Sequence, residues 1–197
     1  VFARLGMRGS TSENPLPATF GNIAKAPDDD GARAALPRGW ESFPEQAASG
    51  LWTSARDLGG LVGALIRSYQ GKGDFLPQAL AVQMMTEVGP SLHGLGPRLG
   101  GTGMTRLFHH GGANDSYRAW LEGHLHSGDG MVILTNGNNG GDLMMEIRNA
   151  LNDALDPAFN PPLRTVRSDL SSPFHADYAG TWTLDPSIPA HVQGNLT

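Results

Sequence analysis

The chain has 197 residues, long enough to bury a core, with 39% hydrophobic and 17% charged residues, the composition of a globular protein with few charges. A formal charge of -5 argues against nucleic acid as a partner, and no window approaches the apolar run that a membrane span needs. Because cysteine is absent, disulfides, thiolate catalysis and cysteine-ligated zinc are excluded.

The opening "VFARLGMRGS" has no initiator methionine and no basic-then-apolar leader, and the closing "DPSIPAHVQGNLT" has no helix stop signal. Both ends read as cuts within a longer polypeptide, and the compartment stays open between periplasmic, secreted and cytoplasmic. Residues 8–40, rich in Gly, Pro, Ser, Asp and Ala without a sustained period, predict a long irregular connection, a type that is often functional or disordered. From Thr53 the pattern changes. Leu58, Leu61, Val62, Leu65, Ile66 and Tyr69 recur every three or four residues and predict an amphipathic helix. Ser54 with Asp57 resembles a capping box, and Gly71 supplies a stop. A shorter helix is expected in "LPQALAVQMMTE" from near Pro77, and residues 89–103 predict short strands and turns.

In the second half, "YRAWLEGHL" and "MVILT" flank the turn former "HSGDG", which predicts a hairpin. In "GDLMMEIRNALNDALD", Leu143, Met144, Ile147, Leu151 and Leu155 share one helical face and are expected to pack across the hairpin's sheet. Antiparallel strands followed by a covering helix indicate an α+β layer. Residues 159–174 read as a linker, and 175–197, beginning "HADYAGTWTL", as the start of a truncated β-rich domain. His124 and His126 fall two apart, but no carboxylate at ligand spacing completes a zinc set, so no metal or other cofactor is expected.

Taken in order, "VFARLGMRGSTSENPLP", "FPEQAASGLWTSARDLGGL" and "HHGGANDSYRAWLEGHLHSGDGMVILTNGNNG" resemble the serine β-lactamase-like family, which groups class C β-lactamases, penicillin-binding-protein-like peptidases and related esterases. The resemblance covers about residues 1–157, so that 1–158 would be the C-terminal part of a catalytic domain, incomplete in this chain. "DYAGTWTL" resembles the opening of the small β-barrel that often trails it. The resemblance implies a two-lobed enzyme, an antiparallel sheet flanked by helices beside a mostly helical lobe, with the site between them. Its chemistry uses a Ser-x-x-Lys motif, a Tyr-x-Asn motif and a third motif on a strand, Lys-Thr-Gly or His-x-Gly.

His110, Gly111 and Gly112 match the third motif. The first two are absent: three before Lys25 and Lys72 stand Asn22 and Tyr69, and two after Tyr69, Tyr117 and Tyr178 stand Gly71, Ala119 and Gly180. In the family both lie upstream of the "LGM" with which this sequence opens, so the chain carries one wall of a site without its nucleophile. The resemblance implies an oxyanion donor just after the glycines, most simply the Ala113 N–H, with the glycines leaving room for the acyl group. His110 would line the pocket and hold the hydrogen-bond network or steer a carboxylate when protonated, while His109 should point the opposite way along the strand. Asn114 and Ser116 are candidate substrate contacts, Ser116 standing where relatives commonly have glycine. Glu45 is a candidate near the cleft, with packing against the helix as the alternative, and Trp40 a candidate for the acyl-side pocket, although aromatic residues in such positions more often anchor a loop.

The expected activity is cleavage of an ester or amide, with β-lactams and D-amino-acid peptides among the possible substrates, through an acyl-enzyme. The alternative is a noncatalytic binding or regulatory relative. A sheet lacking its N-terminal strands would expose apolar surface and an open edge. The chain is therefore expected to be stable only with a complementing segment or a self-association that covers it.

Overall fold

The apolar runs around "HSGDG", and helical spacing before and after them, become part of a sheet held between two long helices. The computed structural model describes residues 1–158 apart from Asp29, Arg33 and Pro157. The expected linker and the expected β-rich segment lie outside the described residues.

The long N-proximal helix, α3 (Ala55–Tyr69), follows two single-turn helices, α1 (Phe2–Leu5) and α2 (Gln46–Ser49), and precedes α4 (Gln78–Met84). Ser54 caps α3 by accepting the Asp57 N–H at 3.1 Å, a bond of the kind that stabilises a helix by about 1 kcal/mol. The Asp57 carboxylate turns outward instead of closing the box. It accepts the Gly9 N–H and the Ser10 hydroxyl, each at 2.8 Å, and so ties the irregular segment to the helix start. A single bridge between Thr11 and Trp52 is the other tie at that end.

Strands β1 (Arg98–Gly100), β2 (Leu107–Ala113), β3 (Arg118–His124) and β4 (Gly130–Thr135) form one antiparallel sheet in chain order. Helix α5 (Gly140–Asp153) follows. Partnered residues share a face, so the register His110↔Leu121 and Leu121↔Val132 puts these three side chains on one side. That side packs on α3: Val62, Ile66, Leu99, Phe108 and Leu125 form the main core, with Leu121 and Val132 against it. The opposite side carries Trp120, Met131 and Ile133, which pack on Met144 and Met145 of α5. Phe108 faces Gly123 across the β2–β3 pair, and a Cβ at Gly123 would lie 2.4 Å from its ring. Only glycine leaves the hollow that this ring fills.

Helix α5 does cover the sheet, but not with the predicted face. Of that face Met144 is buried, but Leu143, Ile147 and Leu151 are exposed, and Gly140, Arg148 and Asn152 are buried instead. Two contacts set the rotation. Gly140 lies where a Cβ would fall 1.9 Å from Thr135 Oγ1, so this turn can approach the sheet only through glycine. Two turns on, Arg148 meets Glu122, a fully buried carboxylate of β3, and a buried charge without a partner is strongly destabilising. His124 is likewise buried, its Nε2 2.9 Å from Glu122 Oε1. Among the described residues no helix is long and apolar enough to cross a membrane.

Candidate active site

Strand β1 pairs only with Leu107–His109 of β2. From His110 to Ala113 the outer side of β2 therefore has no strand partner among the described residues, and its backbone groups border a cleft of about 580 Å³. One wall is His110, Gly111, Gly112, Ala113 and Asn114, with Ala119, Leu121, Leu134 and Asn136 beside it on the sheet. The facing wall comes from the irregular segment and the approach to α3, including Phe20, Ile23, Glu41, Phe43 and Trp52.

Few regular hydrogen bonds shape that segment, so its anchors matter. The Asn136 amide donates to the Lys25 carbonyl at 2.9 Å and the Tyr117 hydroxyl to the Ala24 carbonyl at 2.9 Å. At the other end the Ser42 hydroxyl donates to Asn14 Oδ1 at 2.8 Å. Trp52 lies edge-on between Trp40 and Tyr117, at 6.3 and 5.8 Å between ring centres.

The two histidines face opposite ways. His110 is exposed at the cleft, whereas His109 stacks on Trp120 on the α5 side, 4.8 Å between ring centres. Burial lowers the His109 pKa below its ordinary value, against an upward pull from Glu122; Arg148, Arg98 and His110 add to the lowering. The Trp120 indole N–H donates to Glu122 Oε2 at 3.2 Å, and Arg148 Nε donates to the same oxygen at 2.6 Å. Burial alone pushes the Glu122 carboxyl up, but His124 and Arg148 outweigh it and hold it below the ordinary range. The strand that borders the cleft is thus backed by a buried ionic cluster on its far face.

The other residues singled out from sequence are dispersed. Asn114 lines the cleft, its N–H donating to the Tyr117 carbonyl at 3.0 Å. Ser116 is buried behind it, and its hydroxyl donates to Glu41 Oε1 at 2.7 Å. Trp40 lies outside the lining, with Lys25 Nζ 4.3 Å over its ring. Glu45 also lies outside it, exposed at the N-terminus of α2. Glu41 and Tyr117, both of the cleft, went unmarked in the sequence reading. Burial first, then the Glu41 charge, pushes the Tyr117 phenol up to about 12, so its proton stays on the bond to Ala24 at neutral pH.

The arrangement can hold a carbonyl compound against open strand backbone, between an imidazole and an aromatic wall. The sequence model of the Beta-lactamase family matches residues 1–155. Among solved structures, the chain is similar to the crystal structure of SurE, at 22% identity and a TM-score of 0.64, covering 86% of this chain and 42% of that one. The crystal structure of SurE with D-Leu gives 21%, 0.60, 88% and 41%. The octameric penicillin-binding protein homologue from Pyrococcus abyssi gives 16%, 0.54, 74% and 36%. At these identities the likeness is one of fold, and the chain spans about two fifths of the length of these neighbours. No curated protein matches it.

Proposed function

The chain belongs to the Beta-lactamase family, and on that premise we propose that it supplies the sheet wall of a serine hydrolase that cleaves an ester or amide through an acyl-enzyme. D-amino-acid peptides and β-lactams are within the substrate range of this reading, and the SurE structure with D-Leu is in keeping with the former. The observation that carries it is the unpaired stretch His110–Ala113 beside a cleft of about 580 Å³. In this reading a serine hydroxyl from a segment beyond these 197 residues attacks the carbonyl carbon. The bond to the leaving group breaks as the tetrahedral intermediate collapses, the leaving group takes a proton, and water then hydrolyses the acyl-enzyme.

The Ala113 N–H serves as one oxyanion donor, Gly111 and Gly112 leave room for the acyl group, and His110 occupies the position of the basic residue of the third motif. Asn114 is placed to contact substrate, while Ser116 acts from behind the wall. In this reading residues 1–158 are the C-terminal part of the catalytic domain. The complementing segment covers what is open here. β4 has no outer partner among the described residues, its own Leu134 is exposed on the cleft wall, and Leu143, Ile147 and Leu151 are exposed on α5. Apolar surface of that kind marks an interface.

The test is intact-mass spectrometry of the whole protein before and after a serine-reactive fluorophosphonate. One added probe mass, lost when the nucleophile serine is replaced, is the expected result. An unlabelled whole protein overturns the reading in favour of a noncatalytic binding relative.

A further inference from the structure

We propose that Glu41, clamped by Ser116, is a specificity-determining residue that receives the ammonium group of the substrate. The proposal rests on the hydrolase reading and narrows it to a substrate class, esters or amides that carry a free amine beside an apolar group.

Glu41 enters the cleft from the irregular segment, 75 positions before the serine that fixes it. The buried Ser116 hydroxyl holds Oε1 at 2.7 Å, whereas Oε2 is buried with no hydrogen-bond partner among the described residues. A carboxylate oxygen removed from water without a donor is destabilising, and a substrate N–H offers the missing partner. The last torsion of a glutamate is broad, so a modest turn about it brings Oε2 to the cleft while Ser116 follows Oε1.

The other charges of the wall favour the same sign of ligand. Among the described residues lining the cleft, the charged side chains besides Glu41 are Glu13 and Arg118. Arg118 is committed to the backbone, donating to the carbonyls of Asn114 and Tyr117. Lys25 lies outside the lining, over Trp40. These walls therefore offer a carboxylate to a cationic group and leave no uncommitted guanidinium or ammonium for an anionic one. The pair Trp52 and Tyr117, edge to face at 5.8 Å, adds an aromatic surface next to the carboxylate, which suits both an ammonium and the apolar group it is attached to. The raised pKa of Tyr117, to which the Glu41 charge contributes, is consistent with that charge being felt across the cleft.

The experiment uses the whole protein with leucine p-nitroanilide and its N-acetyl derivative, each as both enantiomers, and compares wild type with Glu41→Gln and Ser116→Ala. The quantity read is the ratio of kcat/KM for the free amine to that for the acetylated compound. Wild type is expected to favour the amine by about tenfold or more, a difference of roughly 1.4 kcal/mol. Glu41→Gln should abolish the preference, mainly through KM, and Ser116→Ala should reduce it. A wild type without preference, or a Glu41→Gln variant that keeps it, overturns the proposal. If neither anilide is hydrolysed, the fluorophosphonate labelling decides the hydrolase reading separately, and calorimetric titration with leucinamide and N-acetyl-leucinamide decides the role of Glu41. Preferential binding of the amine that is lost in Glu41→Gln supports it, and equal binding or none overturns it.

Discussion

Replacing Arg148 by methionine keeps most of the side-chain volume and removes the charge that meets Glu122. At the observed 2.6 Å between Arg148 Nε and Glu122 Oε2, and an effective dielectric of about 20, the attraction is roughly 6 kcal/mol. Part of this is returned because Arg148 no longer has to be desolvated, so the net loss is about 3–5 kcal/mol, the usual result of removing one partner of a buried ion pair. For a chain of this length that lowers Tm by roughly 6–20 °C. Urea unfolding followed by circular dichroism measures it, with Glu122→Gln added as the second arm of a double-mutant cycle. Since the deficit comes from a buried carboxylate that has lost its guanidinium and keeps only Trp120 and His124 as partners, the double variant should recover at least about 2 kcal/mol relative to Arg148→Met alone. The deficit should also shrink in acid, where Glu122 takes up a proton. A loss under about 1 kcal/mol, the range of an exposed pair, or a double variant no more stable than the single one, would refute the reasoning.

Gly112→Ala and Gly111→Ala place Cβ atoms 3.5 Å from Ala119 Cβ and from Trp120 Cε3 respectively, ordinary contacts that should leave stability within about 1 kcal/mol of wild type. Only the methyl at 112 projects on the His110 side, so kcat/KM should fall by about tenfold or more there and much less at 111; equal losses would contradict the assigned wall. Gly123→Ala puts a methyl 2.4 Å from the buried Phe108 ring and should destabilise by about 1–3 kcal/mol, read from the urea midpoint. His109 has a lowered pKa in the fold, so stability is level above its unfolded value near 6.5 and declines as pH falls below it. Glu122, held low, adds a further loss as pH falls through its folded value. In His109→Gln the first decline should vanish from a series of thermal melts across pH, and the second should remain.

Residues with a period were legible. Leu58, Val62 and Ile66 mark α3, and the apolar runs around "HSGDG" mark the β3–β4 hairpin. Strand β2 was less so, because "HHGGA" has no apolar alternation, and it was found through its likeness to a motif. The rotation of α5 was misread because leucines were counted and charges were not. Arg148 pairs with a residue 26 positions away, and Gly140 meets Thr135 only once the helix is docked. Glu41 had no local signal at all, since its clamp lies 75 positions on. Glu45, the candidate expected from sequence, lies four residues off, on the exposed end of α2.

The ring of Phe108 seated over Gly123 has a consequence for where the cleft's histidine points. A strand that slips by one residue presents each side chain to the opposite face, and the glycines of β2 offer nothing to resist such a slip. The large side chain of β2 that is fully buried is Phe108, two residues before His110. Its ring and the hollow at Gly123 form a keyed joint that closes in one alignment only. Out of that alignment His109 would enter the cleft and His110 would be carried behind the sheet to Trp120. Selection for whatever chemistry takes place at His110 therefore reaches position 123, a residue on another strand and outside the lining of the cleft.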